Sequence, residues 1–122
     1  MISFRVDGLP VPQGSMKVIH GRVIHSQGSA LAVWRSTIGW AAKAEHAKLI
    51  EGPVWIKLDF SLLKPRTVKR DMPTVPPDLD KLIRAALDAL TGIVYLDDAQ
   101  VVDISATKSY GDPGVQISLG SK

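Results

Sequence analysis

The sequence predicts an α+β protein of one domain, in which a mixed β-sheet carries two main helices. Three observations lead there: segments that alternate apolar and polar residues, two longer segments with helical spacing, and an element order of ββ(β)αβαββ instead of a regular βα repeat. A chain of 122 residues with 45% hydrophobic side chains has the size of one domain and enough apolar material for one core. No repeat, low-complexity tract or interdomain linker divides it, so a single domain over residues 1–122 is expected.

Ile2, Phe4 and Val6 alternate with Ser3, Arg5 and Asp7, the period of a strand with one buried face. GLPVPQGS then holds two prolines and two glycines, which a regular element does not tolerate, so the chain crosses the surface. Met16–Ile19 and Arg22–His25 flank His20-Gly21 and read as a short hairpin. From Ser29, an N-cap residue type, an alanine-rich run puts Leu31, Trp34, Ile38, Ala41, Ala42 and Leu49 on one face. The first helix is therefore expected over Ser29–Ile50, stopped by Gly52-Pro53. Val54, Ile56, Leu58, Phe60 and Leu62 form the clearest strand pattern. Residues 64–77, KPRTVKRDMPTVPP, contain four prolines and no period, and are expected to be a long exposed loop. A second helix starts at Asp78, with Leu79, Leu82, Ile83, Ala86, Leu87 and Leu90 at helical spacing. Beyond Leu96-Asp97-Asp98, residues 101–110 and 115–119 read as strands about the Gly111–Gly114 turn.

Zero cysteines exclude disulfides, thiolate catalysis, iron-sulfur clusters and cysteine zinc sites, and point to a reducing interior. With no apolar run of membrane-spanning length and no leader pattern at the N-terminus, the expectation is a cytoplasmic protein without membrane contact. The net charge is +3. Its distribution is uneven: residues 1–84 are basic on balance and residues 85–122 acidic, as suits a protein that holds a polyanion and keeps carboxylates for a metal.

Asp78 and Asp80 stand at the mouth of the second helix. Taken alone, they favour capping of the helix and neutralisation of its positive end. Asp97-Asp98 is a second acidic pair, which a packed domain of this size can fold beside the first. Converging carboxylates repel one another unless a hard cation lies between them, and Mg²⁺ suits carboxylate and water oxygens while leaving room for phosphate. The structural alternatives are a solvated turn at Asp97-Asp98 and a surface ladder of Asp80, Arg84 and Asp88 at i, i+4 spacing. Asp103 is expected to pair with a neighbouring cation. Lys64, Arg66, Lys69 and Arg70 precede the acidic mouth and are candidates to hold phosphates, as is Lys17 in the N-terminal loop; each also reads as an ordinary solvated residue. His20, His25 and His46 lack ligand spacing, and the glycines of GLPVPQGS lack a phosphate-loop pattern. Trp34 belongs to the first helix's apolar face, whereas Trp55, on the outer phase of its strand, is a candidate interface residue.

PDLDKLIRAALDAL followed by YLDDAQVVDISATK resembles the RusA-type Holliday junction resolvases, whose catalytic half reads DLDN, an apolar helix ending in DAL, then a DDAQVV block. The resemblance covers about residues 76–108, and the opening VDGLPVPQGS and WRSTIGWAA are similar to that family's first strand, proline-rich loop and first helix. It implies that Asp78, Asp80 and Asp98 are the essential metal-binding carboxylates, with Asp97 adjacent. The family's lysine four residues after its second Asp is Arg84 here, and the Asn that follows that Asp is Lys81. Arginine can brace a phosphate through two hydrogen bonds but does not give up a proton, so an electrostatic role survives and a proton-transfer role does not; Lys81 is close enough in sequence to share the task. The resemblance further implies a homodimer with two active sites that nicks opposing strands of a four-way DNA junction using Mg²⁺ or Mn²⁺. Two other readings stay open on the residues alone: a DNA-binding or assembly module whose aspartates only cap and solvate, and a Mg²⁺ nuclease acting on flaps or other branched DNA.

Overall fold

The computed structural model describes residues 1–14 and 28–122 in full, and only the backbone of Met16–Ile19 and Arg22–His25. In chain order the elements are β1 (Ile2–Asp7), β2 (Met16–Ile19), β3 (Arg22–His25), α1 (Gly28–Ala44), β4 (Val54–Leu62), α2 (Leu79–Leu90), a 3₁₀ turn at Asp98–Gln100, β5 (Val101–Tyr110) and β6 (Gly114–Ser121). β2 and β3 pair as the expected antiparallel ribbon, with Lys17 opposite Ile24; the His20-Gly21 corner and the side chains of Lys17 and His25 lie outside the described residues.

The main sheet has four strands in the order β1-β6-β4-β5. β6 runs antiparallel to both β1 and β4, whereas β4 and β5 are parallel, which makes the sheet mixed as expected. The alternation in β4 does what its sequence demands: Val54, Ile56, Leu58, Phe60 and Leu62 are buried, while Trp55, Lys57, Asp59 and Ser61 lie on the opposite face. Val115, Ile117 and Leu119 of β6 extend the same buried layer, and α1 contributes Leu31, Trp34, Ile38 and Ala42 to it.

One expectation is corrected, and two are completed. α1 ends at Ala44 and not at Ile50: His46 takes a left-handed φ of 56°, Ile50 donates its N–H to the carbonyl of Val94 at 2.9 Å, and Leu49 is exposed. A bond to the segment after α2 has replaced the last helical turns. The expected stripe of α2 lies against the core, with Leu82, Ala86 and Leu90 buried and Leu79, Ile83 and Leu87 partly buried, and Ala85 and Ala89 widen it. Small residues face inward because α1 comes close there: a Cβ at Gly39 would lie 3.0 Å from the Ile93 side chain and 3.6 Å from the Ala89 carbonyl oxygen. Finally, β5 and β6 flank the Gly111–Gly114 turn but do not pair, because β4 lies between them and Gly111 donates to the Leu62 carbonyl at 3.0 Å. Among the described residues no helix is long and apolar enough to cross a membrane.

Candidate active site

The loop after β4 leads directly into α2. Asp78 occupies the N-cap position in extended geometry (φ −69°, ψ 139°), yet its side chain makes no capping hydrogen bond. It points instead toward Lys81, whose Nζ is 3.3 Å from its carboxylate. Asp80, exposed in the first turn, makes no side-chain hydrogen bond or ion pair among the described residues, and neither does Arg84. The surface ladder of Asp80, Arg84 and Asp88 is thus not formed. The mouth of α2 holds two exposed carboxylates, Asp78 paired with Lys81 and Asp80 without a side-chain partner among the described residues, and the helix dipole adds favourable positive potential for anions.

The second acidic pair divides its roles. Asp97 Oδ1 accepts from the backbone N–H of Ala99 at 2.8 Å, and Gln100 Oε1 accepts from the N–H groups of Leu96 and Asp97 at 3.0 and 3.2 Å. This is a capping box around the 3₁₀ turn. Gln100 Nε2 also donates to the carbonyls of Ile50 and Gly52, fastening the turn to the start of β4. Asp97 is therefore occupied structurally, while Asp98 is exposed and makes no side-chain bond among the described residues.

Within one chain the fold does not bring Asp98 to the mouth of α2. β4 and β5 are parallel, and Val54 stands opposite Val101, so Asp98 lies at the starting end of both strands. Asp78 lies at their finishing end: Lys108 Nζ donates to the Pro77 carbonyl at 2.9 Å. Along β5, Val101 and Lys108 are about 23 Å apart at the usual strand rise. Burial raises the pKa of the Tyr95 phenol well above its ordinary value, and the carboxylates of Asp98 and Asp88 push it further up; Asp88 is about 15 Å along α2 from Asp78 at the helical rise. Consistently, no group of three or more metal-ligating side chains forms among the described residues. The expected folding of the second acidic pair beside the first is overturned by the parallel pairing.

The basic loop is irregular and exposed, as expected. Lys64 Nζ lies 5.8 Å from the centre of the Tyr110 ring, and Arg70 Nε donates to the Tyr110 hydroxyl at 2.9 Å. Arg66 and Lys69 project into solvent. Lys17 sits in β2 and not in an irregular loop. Asp103 has the expected partner, Lys122, at 2.7 Å.

Lys108 was not among the expected site residues. Its Nζ donates to the carbonyls of Val75 and Pro77 at 2.8 and 2.9 Å, pinning the chain just before Asp78. The sequence did carry a signal: Ile104, Ala106, Lys108 and Tyr110 share the helix-facing phase of β5, where an ammonium needs acceptors.

A family profile described as Endodeoxyribonuclease RusA matches residues 7–120, nearly the whole chain. The chain is also 27% identical to an uncharacterised protein, YqaN, of Bacillus subtilis (strain 168), over 97% of this chain and 94% of that protein.

Proposed function

The chain belongs to the RusA endodeoxyribonuclease family, and from that premise we propose that it is a divalent-metal-dependent nuclease that resolves four-way DNA junctions in recombination and repair, working in the cytoplasm of a bacterial or phage-infected cell. The observation that carries the reading is the family match over residues 7–120, within which Asp80 and Asp98 make no side-chain bond among the described residues and Asp78 pairs only with Lys81. Cleavage of a four-way junction with Mg²⁺ and none without it is the expected result. Equal cutting of linear duplex or of flaps would favour the other branched-DNA reading, and binding without cleavage would favour a binding module.

The donor set fits a hard cation: Asp78 and Asp80 supply carboxylate oxygens at an exposed helix mouth, and Mg²⁺ commonly takes one or two carboxylates beside water and phosphate. When bound, such an ion activates water and stabilises charge on the leaving oxygen. The chain's own residues do the rest. Lys81 and Arg84 neutralise charge on the attacked phosphate, Arg84 without exchanging a proton. Lys64, Arg66, Lys69 and Arg70 hold the backbone on either side, and Lys17 is a further contact on the same reading. Replacing Lys69 and Arg70 with Ala should reduce the slope of log affinity against log salt by about 0.9 for each lost phosphate contact; an unchanged slope in a salt titration would place the DNA elsewhere.

A homodimer resolves the separation of the carboxylates. β5 is an edge strand, and among the described residues nothing pairs with its outer side. Val102 and Ile104 on that edge and Leu96 beside it are 62%, 44% and 68% exposed. A long apolar edge invites pairing with another strand. Two β5 edges pairing antiparallel about a two-fold axis would bring the start of one strand to the end of the other, so that Asp98 of the partner subunit faces Asp78 and Asp80. The same axis builds a second site, as two opposed nicks require.

A further inference from the structure

We propose that the cavity beside Asp78 is a subsite for one nucleobase, unstacked from the DNA next to the phosphate that is cut. This rests on the nuclease reading above and extends it to how a sequence at the cut is read. The cavity, about 640 Å³, lies between the proline-rich loop after β1 and the basic loop after β4, and Asp78 and Lys81 line it. Its size falls within the range of small-molecule sites, about 300–1,000 Å³.

The lining chemistry suits a flat aromatic ring. Pro10, Pro12, Pro65, Pro77 and Val75 give rigid apolar surface, and Tyr110 gives a stacking face. Charge complementarity selects a nucleotide over an uncharged peptide. Arg70 also lines the cavity, and its Nε is engaged by the Tyr110 hydroxyl at 2.9 Å, which fixes the guanidinium plane and leaves its other N–H groups for a phosphate or a base edge. Lys81 stands at the same rim as Asp78, where the phosphate of the inserted nucleotide would lie.

The walls are held in place before any ligand arrives. Lys108 ties Val75 and Pro77 to β5, and the Gln13 N–H donates to the Lys81 carbonyl at 3.0 Å, tying the first loop to α2. Preformed walls lower the cost of binding. Extruding a base costs least where its pairing or stacking is already weakened, as at the exchange point of a junction that the protein holds open. A nuclease that must take a base into this cavity before cutting would therefore favour branched DNA and discriminate among bases at the cut.

The test places 2-aminopurine at successive positions flanking the cut in a four-way junction, bound by Asp80→Asn protein in Mg²⁺. Fluorescence should rise at one position. Adding Val75→Trp, which fills the cavity, should abolish the rise and, in the otherwise wild-type protein, flatten the preference among sequences at the cut. If that variant does not fold, Tyr110→Leu replaces it and should weaken junction binding by about fivefold or more, the scale of one lost base–aromatic stack, whereas Tyr110→Phe, which keeps the ring, should retain the fluorescence rise. Cleavage by the wild-type protein with no rise at any position overturns the subsite and leaves the nuclease standing. A rise that survives Val75→Trp, or is lost equally in Tyr110→Leu and Tyr110→Phe, also overturns it. Failure to cut any branched DNA overturns the nuclease reading and the subsite together.

Discussion

Mixing an Asp78→Asn chain with an Asp98→Asn chain should restore nicking that neither protein shows alone. Each single variant, and Asp80→Asn likewise, should lose cleavage at least about a hundredfold, the scale of removing one electrostatic partner from a reacting group, while junction binding persists. The substitution keeps size and hydrogen bonding but removes charge. Within one chain Asp78 and Asp98 lie at opposite ends of β5, so a site that uses both takes them from two copies. In a mixed dimer one site then carries both substitutions, and the other carries neither. That intact site nicks one strand of the junction. If each chain built its own complete site, every site in the mixture would hold one substitution, and no activity would return. Cleavage of a labelled junction by the mixed and unmixed proteins decides between the two arrangements. Undiminished cutting by the single variants would remove the metal-site assignment itself.

Converting Val102 and Ile104 to Lys should split the dimer and abolish cleavage while the chain stays folded. Both side chains are exposed in the single chain, where surface substitutions usually change stability by only about 0.5 kcal/mol or less. Paired edge to edge, the same positions would bury unpaired ammonium groups, which is strongly unfavourable. Lysine on an edge strand is also the device by which natural sheets avoid pairing. Sedimentation at micromolar concentration should report about twice the chain mass for the wild type, as an isologous pair requires, and the single-chain mass for the variant, with circular dichroism unchanged. A variant that remains a dimer would place the interface elsewhere, for example at Trp55 on the open face of the sheet.

Much of the site's chemistry was legible without coordinates. The two acidic motifs, the basic loop ahead of α2 and the apolar stripe of that helix are local patterns, and local patterns depend on spacing alone. The split within Asp97-Asp98 was not legible, because only the capping box around Ala99 and Gln100 shows which carboxylate the backbone occupies. Lys108 was half legible: its phase in β5 marked it as unusual, but its acceptors belong to a loop about thirty residues away in sequence.

The sequence by itself determined which segments are strands and helices, which faces they bury, that the fold is α+β, and which carboxylates and cations are available. These follow from side-chain periodicity, which each segment carries within itself. Only the tertiary structure decided that β4 lies between β5 and β6, that β4 and β5 run parallel, and that Asp98 consequently stands a strand's length from Asp78. Periodicity states which face of a strand is apolar but not which strand is its neighbour or in which direction that neighbour runs; those choices are made by long-range packing, and they separate the carboxylates in space.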